Sequence, residues 1–79
     1  MTSRKRRAVN AIAFGQTLRA LREKRKLGQE ELGDMCGGLA QAYIAQLEAG
    51  VRVPSFVTIS KLAKALKVLP EALFNGRSK

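Results

Sequence analysis

The sequence predicts an all-α fold, with five helices joined by short connections in one domain. Three observations carry that prediction. Apolar residues recur at three- and four-residue intervals through each periodic segment. No segment alternates apolar and polar residues as a half-buried strand does. Gly28, Gly37, Gly38, Gly50, Pro54 and Pro70 fall between the periodic segments or at their edges, where such residues begin or end helices.

Taken in order, residues 1–9 read as a flexible basic arm. The domain proper occupies residues 10–76. Asn10 suits an N-cap, and helix 1 covers about 10–25. Ile12, Phe14, Leu18 and Leu21 form its apolar stripe, while Arg19, Arg22, Glu23, Lys24 and Arg25 lie on other faces. Lys26-Leu27-Gly28 is a short connection. Helix 2, about 29–36, opens Gln29-Glu30-Glu31-Leu32, and its two glutamates suit the positive end of the helix dipole. Gly37-Gly38 ends it, because glycine accepts the left-handed conformation found after helix C-termini. Helix 3 covers about 40–49 and stops at Gly50. Ser55 caps helix 4, whose apolar face is Phe56, Ile59, Leu62, Ala63 and Leu66. Pro70 suits the first position of a short helix 5, from which Leu73 and Phe74 pack back before Asn75-Gly76 ends it.

Charge narrows the function. The 79 residues carry 15 Lys/Arg against 6 Asp/Glu, a net +9 with a pI near 10.7, which points to an anionic partner. Residues 1–26 hold a net +8, residues 27–50 a net −4 and residues 51–79 a net +5. A neutral-to-acidic centre therefore lies between two basic flanks. No run approaches the roughly 20 apolar residues of a membrane span. No apolar run or cleavage site follows MTSRKRRAVN, so a cytoplasmic protein without a signal peptide is expected. Cys36 is the single cysteine and there is no histidine, so neither an internal disulfide nor a Cys/His zinc site is expected. No acid/base pair or catalytic triad is visible, and Gly37-Gly38 lacks the Lys-Ser/Thr of a phosphate loop. The expectation is a non-enzyme with no cofactor, no metal and no small-molecule ligand.

The stretch GGLAQAYIAQLEAG, residues 37–50, holds one charge, Glu48, in this strongly basic chain. On a helical wheel Ala40, Ile44 and Leu47 fall within about 60° and form a buried stripe. Ala42, Ala45, Gln46 and Ala49 take the opposite side, with Gln41 and Tyr43 on the shoulders. Two readings fit. One is an ordinary surface helix rich in alanine, a good helix former. The other is a helix in a DNA major groove, where glutamine bonds adenine N6 and N7 and alanine meets the thymine methyl.

A short helix, a glycine turn and a second short helix make a helix-turn-helix pattern. Five segments then carry a family resemblance: FGQTLRALRE (14–23), LGQEEL (27–32), YIAQLEAG (43–50), VPSFVTISKLAKALKV (53–68) and EALF (71–74). As a set they resemble the Cro/C1-type, or xenobiotic-response-element, helix-turn-helix regulators. That family includes lambdoid phage repressors and restriction–modification controller proteins. The resemblance implies a five-helix lambda-repressor-like domain that regulates transcription. It would bind double-stranded DNA as a homodimer on a palindromic operator, with half-sites about 34 Å apart.

The resemblance also implies roles. Gln41, Ala42 and Gln46 match base-reading positions, and Ala45 shares their face. Gln29 and Tyr43 match phosphate contacts, and Arg52 lies where relatives contact the backbone or minor groove. Glu48 matches a structural glutamate paired with an arginine of helix 1, here Arg22. Arg4, Lys5, Arg6 and Arg7 either reach DNA phosphates or form a solvated tail. Val68, Leu69, Leu73 and Phe74 are the expected dimer surface. Lys61, Lys64 and Lys67 fit a solvated face, and Cys36 fits a small buried residue.

The chain departs from the family pattern at four places. It has one residue more between Leu32 and Glu48, which lengthens either the turn or helix 2. Gly33 replaces alanine, Gly28 replaces a Ser/Thr cap, and Leu69 replaces a polar cap. Two rival classes are an antitoxin subunit that binds a toxin protein and an RNA-binding domain, the latter short of aromatic stacking platforms. A third, a membrane-surface helix from residues 4–26, would use apolar residues that the core needs.

Overall fold

The computed structural model describes the backbone of residues 2–75 and the side chains of residues 11–74. Its helices are α1 (Thr2–Lys24), α2 (Gln29–Met35), α3 (Gln41–Ala49), α4 (Phe56–Leu66) and α5 (Pro70–Asn75), with no strand among the described residues. α1 packs on α3 and α5, α2 on α3 and α4, and α4 on α5. The expected α2–turn–α3 pair is present. No described helix is long and apolar enough to cross a membrane.

Every helix contributes to one core. Leu18, Leu32, Ile44, Leu47, Leu62, Leu66 and Leu73 are fully buried, and Phe14, Cys36 and Ile59 pack with them. Each buried Leu or Ile side chain is worth about 1.5–3 kcal/mol over an exposed one. The caps are local. Ser55 Oγ accepts the Thr58 N–H at 3.1 Å, and Glu31 accepts the Gly28 N–H at 2.7 Å in place of a side-chain cap on Gly28. Lys67 ends α4 in the left-handed region at φ 59°, unusual for a residue with a Cβ.

The structure corrects four sequence expectations. α1 begins at Thr2, so the backbone of the basic segment continues the helix and Asn10 lies inside it. Nothing between Thr2 and Phe14 breaks a helix, and Arg, Lys and Ala favour one. The side chains of Arg4, Lys5, Arg6 and Arg7 lie outside the described residues. Ala40 is exposed, because it is the N-cap of α3 rather than part of its buried stripe. Phe56, the first residue of α4, is 76% exposed. First-turn side chains tilt toward the helix N-terminus, here past the edge of the core. Leu73, expected on the dimer surface, is fully buried in the single chain and belongs to its core. Leu69 remains 70% exposed, Val68 is half-buried, and Phe74 is exposed with its ring 6.3 Å from that of Phe14.

α2 ends at Met35, and residues 36–40 make the connection with Gly37 and Gly38 at φ 86° and 98°. Two successive left-handed residues fold the turn back onto α2. The Gly33 carbonyl accepts N–H groups from Cys36, Gly38 and Leu39 at 3.1, 3.1 and 2.9 Å. A Cβ on Gly33 would collide with the Leu39 carbonyl oxygen. Glycine at 33 is therefore required by this turn.

Candidate nucleic-acid interface

α3 divides as its sequence implies. Ile44 and Leu47 are buried, while Gln41, Ala42, Gln46 and Ala49 are exposed or half-buried on the outward side, with Tyr43 and Ala45 half-buried. The outward face is made of amides and methyl groups, with no cation on the helix itself.

α1 fixes the back of α3. A Cβ on Gly15 would collide with the Leu47 and Glu48 carbonyls, so only glycine allows this crossing. Two turns further on, Arg22 Nε donates to Glu48 Oε2 at 2.6 Å and Arg22 Nη2 to Glu48 Oε1 at 3.1 Å. Arg22 Nη1 donates to the Leu27 carbonyl at 2.7 Å. The two side chains are only 11% and 6% exposed. The hydrogen bond to Glu48 raises the Arg22 guanidinium above its ordinary value, against the opposing effect of burial. The single charge of α3 thus faces the scaffold.

From this pair a hydrogen-bonded series runs outward to the surface. Gln29 Nε2 donates to Glu48 Oε1 at 3.0 Å, and Gln41 Nε2 donates to Gln29 Oε1 at 2.6 Å. The directions are fixed by chemistry. An ionised carboxylate only accepts, so the Gln29 amino end must face Glu48. Its carbonyl end then faces Gln41, which must donate. Exposed Gln41 is left with one N–H and a carbonyl oxygen that bond no described residue. That donor–acceptor pair matches adenine N7 and N6 in a major groove.

A second cluster lies at the other end of α3. Arg52 Nε donates to Gln46 Oε1 at 3.0 Å, and the guanidinium carbon is 5.8 Å from the Tyr43 ring centroid. The fold thus gathers Arg22, Glu48, Gln29 and Gln41 into one series and Gln46, Arg52 and Tyr43 into another, with Ala42 and Ala45 between them. Sequence reasoning named all of these residues but none of the three glutamine hydrogen bonds, since all three link residues across turns, where helical spacing gives no signal. It also missed Arg25, whose Nε donates to the Leu66 carbonyl at 2.8 Å and ties α1 to the end of α4. Cys36 is buried in the core, and burial raises its thiol while the charge of Lys61 opposes. Among the described residues no His/Cys/Asp/Glu group forms a metal site.

Comparison with known proteins shows the family and the fold. A helix-turn-helix family model matches residues 18–73. The transcriptional repressor RghR of Bacillus subtilis is 48% identical over 62 residues, covering 77% of this chain and 45% of RghR. The chain therefore spans less than half the length of that relative. Control protein C.BamHI of Bacillus amyloliquefaciens is 38% identical over 65 residues, covering 81% of this chain and 79% of C.BamHI. The crystal structure of the restriction–modification controller protein C.AhdI of Aeromonas hydrophila superposes with a TM-score of 0.79 at 42% identity. That match covers 84% of this chain and 98% of C.AhdI. The chain belongs to the helix-turn-helix family of the Cro/C1, or xenobiotic-response-element, type.

Proposed function

We propose that this chain is a transcriptional regulator of repressor or controller type that lays α3 in the major groove of double-stranded DNA. One observation carries the reading. The free donor–acceptor pair of Gln41 is joined by hydrogen bonds through Gln29 and Glu48 to Arg22 in the scaffold, which favours one orientation of its amide. A freely rotating surface glutamine needs no such support, whereas a base-reading amide gains from having its rotamer fixed before binding. Ala42 and Ala45 let the backbone approach and meet thymine methyl groups. The Tyr43 hydroxyl and the second N–H of Gln29 contact flanking phosphates, and Arg4, Lys5, Arg6 and Arg7 add affinity that does not depend on sequence.

The operator is a palindrome bound by a homodimer. The exposed apolar residues at the α4–α5 end, Leu69 and Phe74, supply the interface in this reading, together with half-buried Val68. Relatives named as a repressor and as control proteins support the regulatory role. Selection of binding sites from random duplex DNA at near-physiological salt tests it. The expected result is a two-fold symmetric motif with half-sites about one helical turn apart. Recovery of unselected DNA would overturn it.

A further inference from the structure

The cluster at the C-terminal end of α3 carries a different chemistry from Gln41. Arginine has no acceptor, so the bond from Arg52 Nε fixes which end of the Gln46 amide faces it. The carbonyl is turned to Arg52, and the Nε2 amino group is left with no acceptor among the described residues. The two Nη groups of Arg52 likewise donate to no described residue. Tyr43 stands behind the guanidinium at 5.8 Å, which limits where its plane can lie. The outward amide and guanidinium groups of this cluster are therefore donors.

That pattern does not match adenine, whose major-groove edge offers one acceptor and one donor. Thymine offers one acceptor beside a methyl group. Guanine alone offers two adjacent acceptors, O6 and N7. The geometry points to a guanine-reading pair: Arg52, positioned by the Gln46 carbonyl and the Tyr43 ring, reads a guanine together with the Gln46 amino group. Arg52, expected from the resemblance to contact the DNA backbone or minor groove, is then a specificity residue. Gln46, expected at a base-reading position, acts through its amino end and by orienting its neighbour. This rests on the reading of α3 as the DNA-facing helix. It adds a base identity that the reading does not contain.

The test uses the full chain and the duplex recovered by selection, with a panel of single base-pair changes measured by fluorescence anisotropy. Gln46→Leu and Arg52→Ala are expected to lose preference at the same G·C pair, about 5- to 150-fold each. The double variant is expected to lose less than the product of the two losses, because the groups act as a unit. In that duplex 7-deazaguanine weakens wild type and leaves Arg52→Ala unchanged. Arg52→Lys separates the roles. It keeps the charge but loses the planar fork and the Nε bond to Gln46. Loss of the guanine preference with an unchanged salt slope supports the pair. A lysine that preserves base preference makes Arg52 a phosphate contact and overturns it. Effects of Gln46→Leu and Arg52→Ala at different base pairs, or at an A·T pair, also overturn it while leaving the function intact. Selection that recovers no motif overturns both.

Discussion

Glu48 accepts two hydrogen bonds from Arg22 and one from Gln29 while only 6% of its side chain is exposed. Glu48→Gln keeps the shape but leaves the Arg22 charge nearly buried without its counter-ion. Removing one partner of such a pair costs about 3–5 kcal/mol. Urea unfolding checks this, and a loss under about 1 kcal/mol, as exposed pairs show, would remove the pair from the scaffold. Lys67 adopts a left-handed φ of 59°, so Lys67→Gly is expected to stabilise by roughly 1 kcal/mol, measured the same way. Burial raises the Cys36 thiol above its ordinary value of 9.0. Above that value the unfolded chain has lost a proton that the folded chain still holds, so stability falls as pH rises through the folded value. Thermal melts between about pH 7 and 10 should therefore show a shallower alkaline decline for Cys36→Ala than for wild type. Parallel declines would mean that the thiol does not contribute.

At the level of elements, the turn between α2 and α3 gives an unusually sharp expectation. Alanine is better than glycine in a helix by about 1 kcal/mol, so propensity alone favours Gly33→Ala. The collision with the Leu39 carbonyl has the opposite sign. Gly33→Ala is therefore expected to destabilise, and deletion of Gly38 in the same chain is expected to recover part of the loss. A stabilised Gly33→Ala would mean that the turn yields easily. This turn also shows where sequence reading stops. The end of α2 and the starts of α4 and α5 were legible because a glycine pair, a serine cap and a proline act locally. The start of α1 was not, since Asn10 looks like a cap but nothing before it opposes a helix. The need for glycine at 33 depends on a carbonyl six residues later, and the Gln41–Gln29 and Gln46–Arg52 bonds cross turns. The exposed α3 face was legible because the two buried positions, Ile44 and Leu47, set its phase. Phe56 misled because apolar periodicity does not say where a core ends.

For the whole molecule, a net +9 beside an uncharged outward face of α3 gives affinity and specificity to different parts in the proposed reading. Deleting residues 1–7 is expected to weaken binding on every duplex and to flatten the salt dependence, by about 0.9 in slope for each phosphate no longer neutralised. An unchanged slope would make the segment inert. Leu73→Glu buries a charge in the core and is expected to unfold the chain, so Leu69→Glu is the variant that probes dimerisation. Sedimentation should show a monomer that remains folded, and a dimer that survives would place the interface elsewhere. Base reading by α3 is tested most directly by atomic substitution in the selected duplex. Where Gln41 meets an adenine, replacing it with 7-deazaadenine removes the N7 acceptor and leaves the base pair intact. Major-groove reading by a fixed amide predicts a loss of about 5- to 150-fold for wild type and no further loss for Gln41→Ala. Equal losses for both proteins would contradict it and move the base contacts away from Gln41.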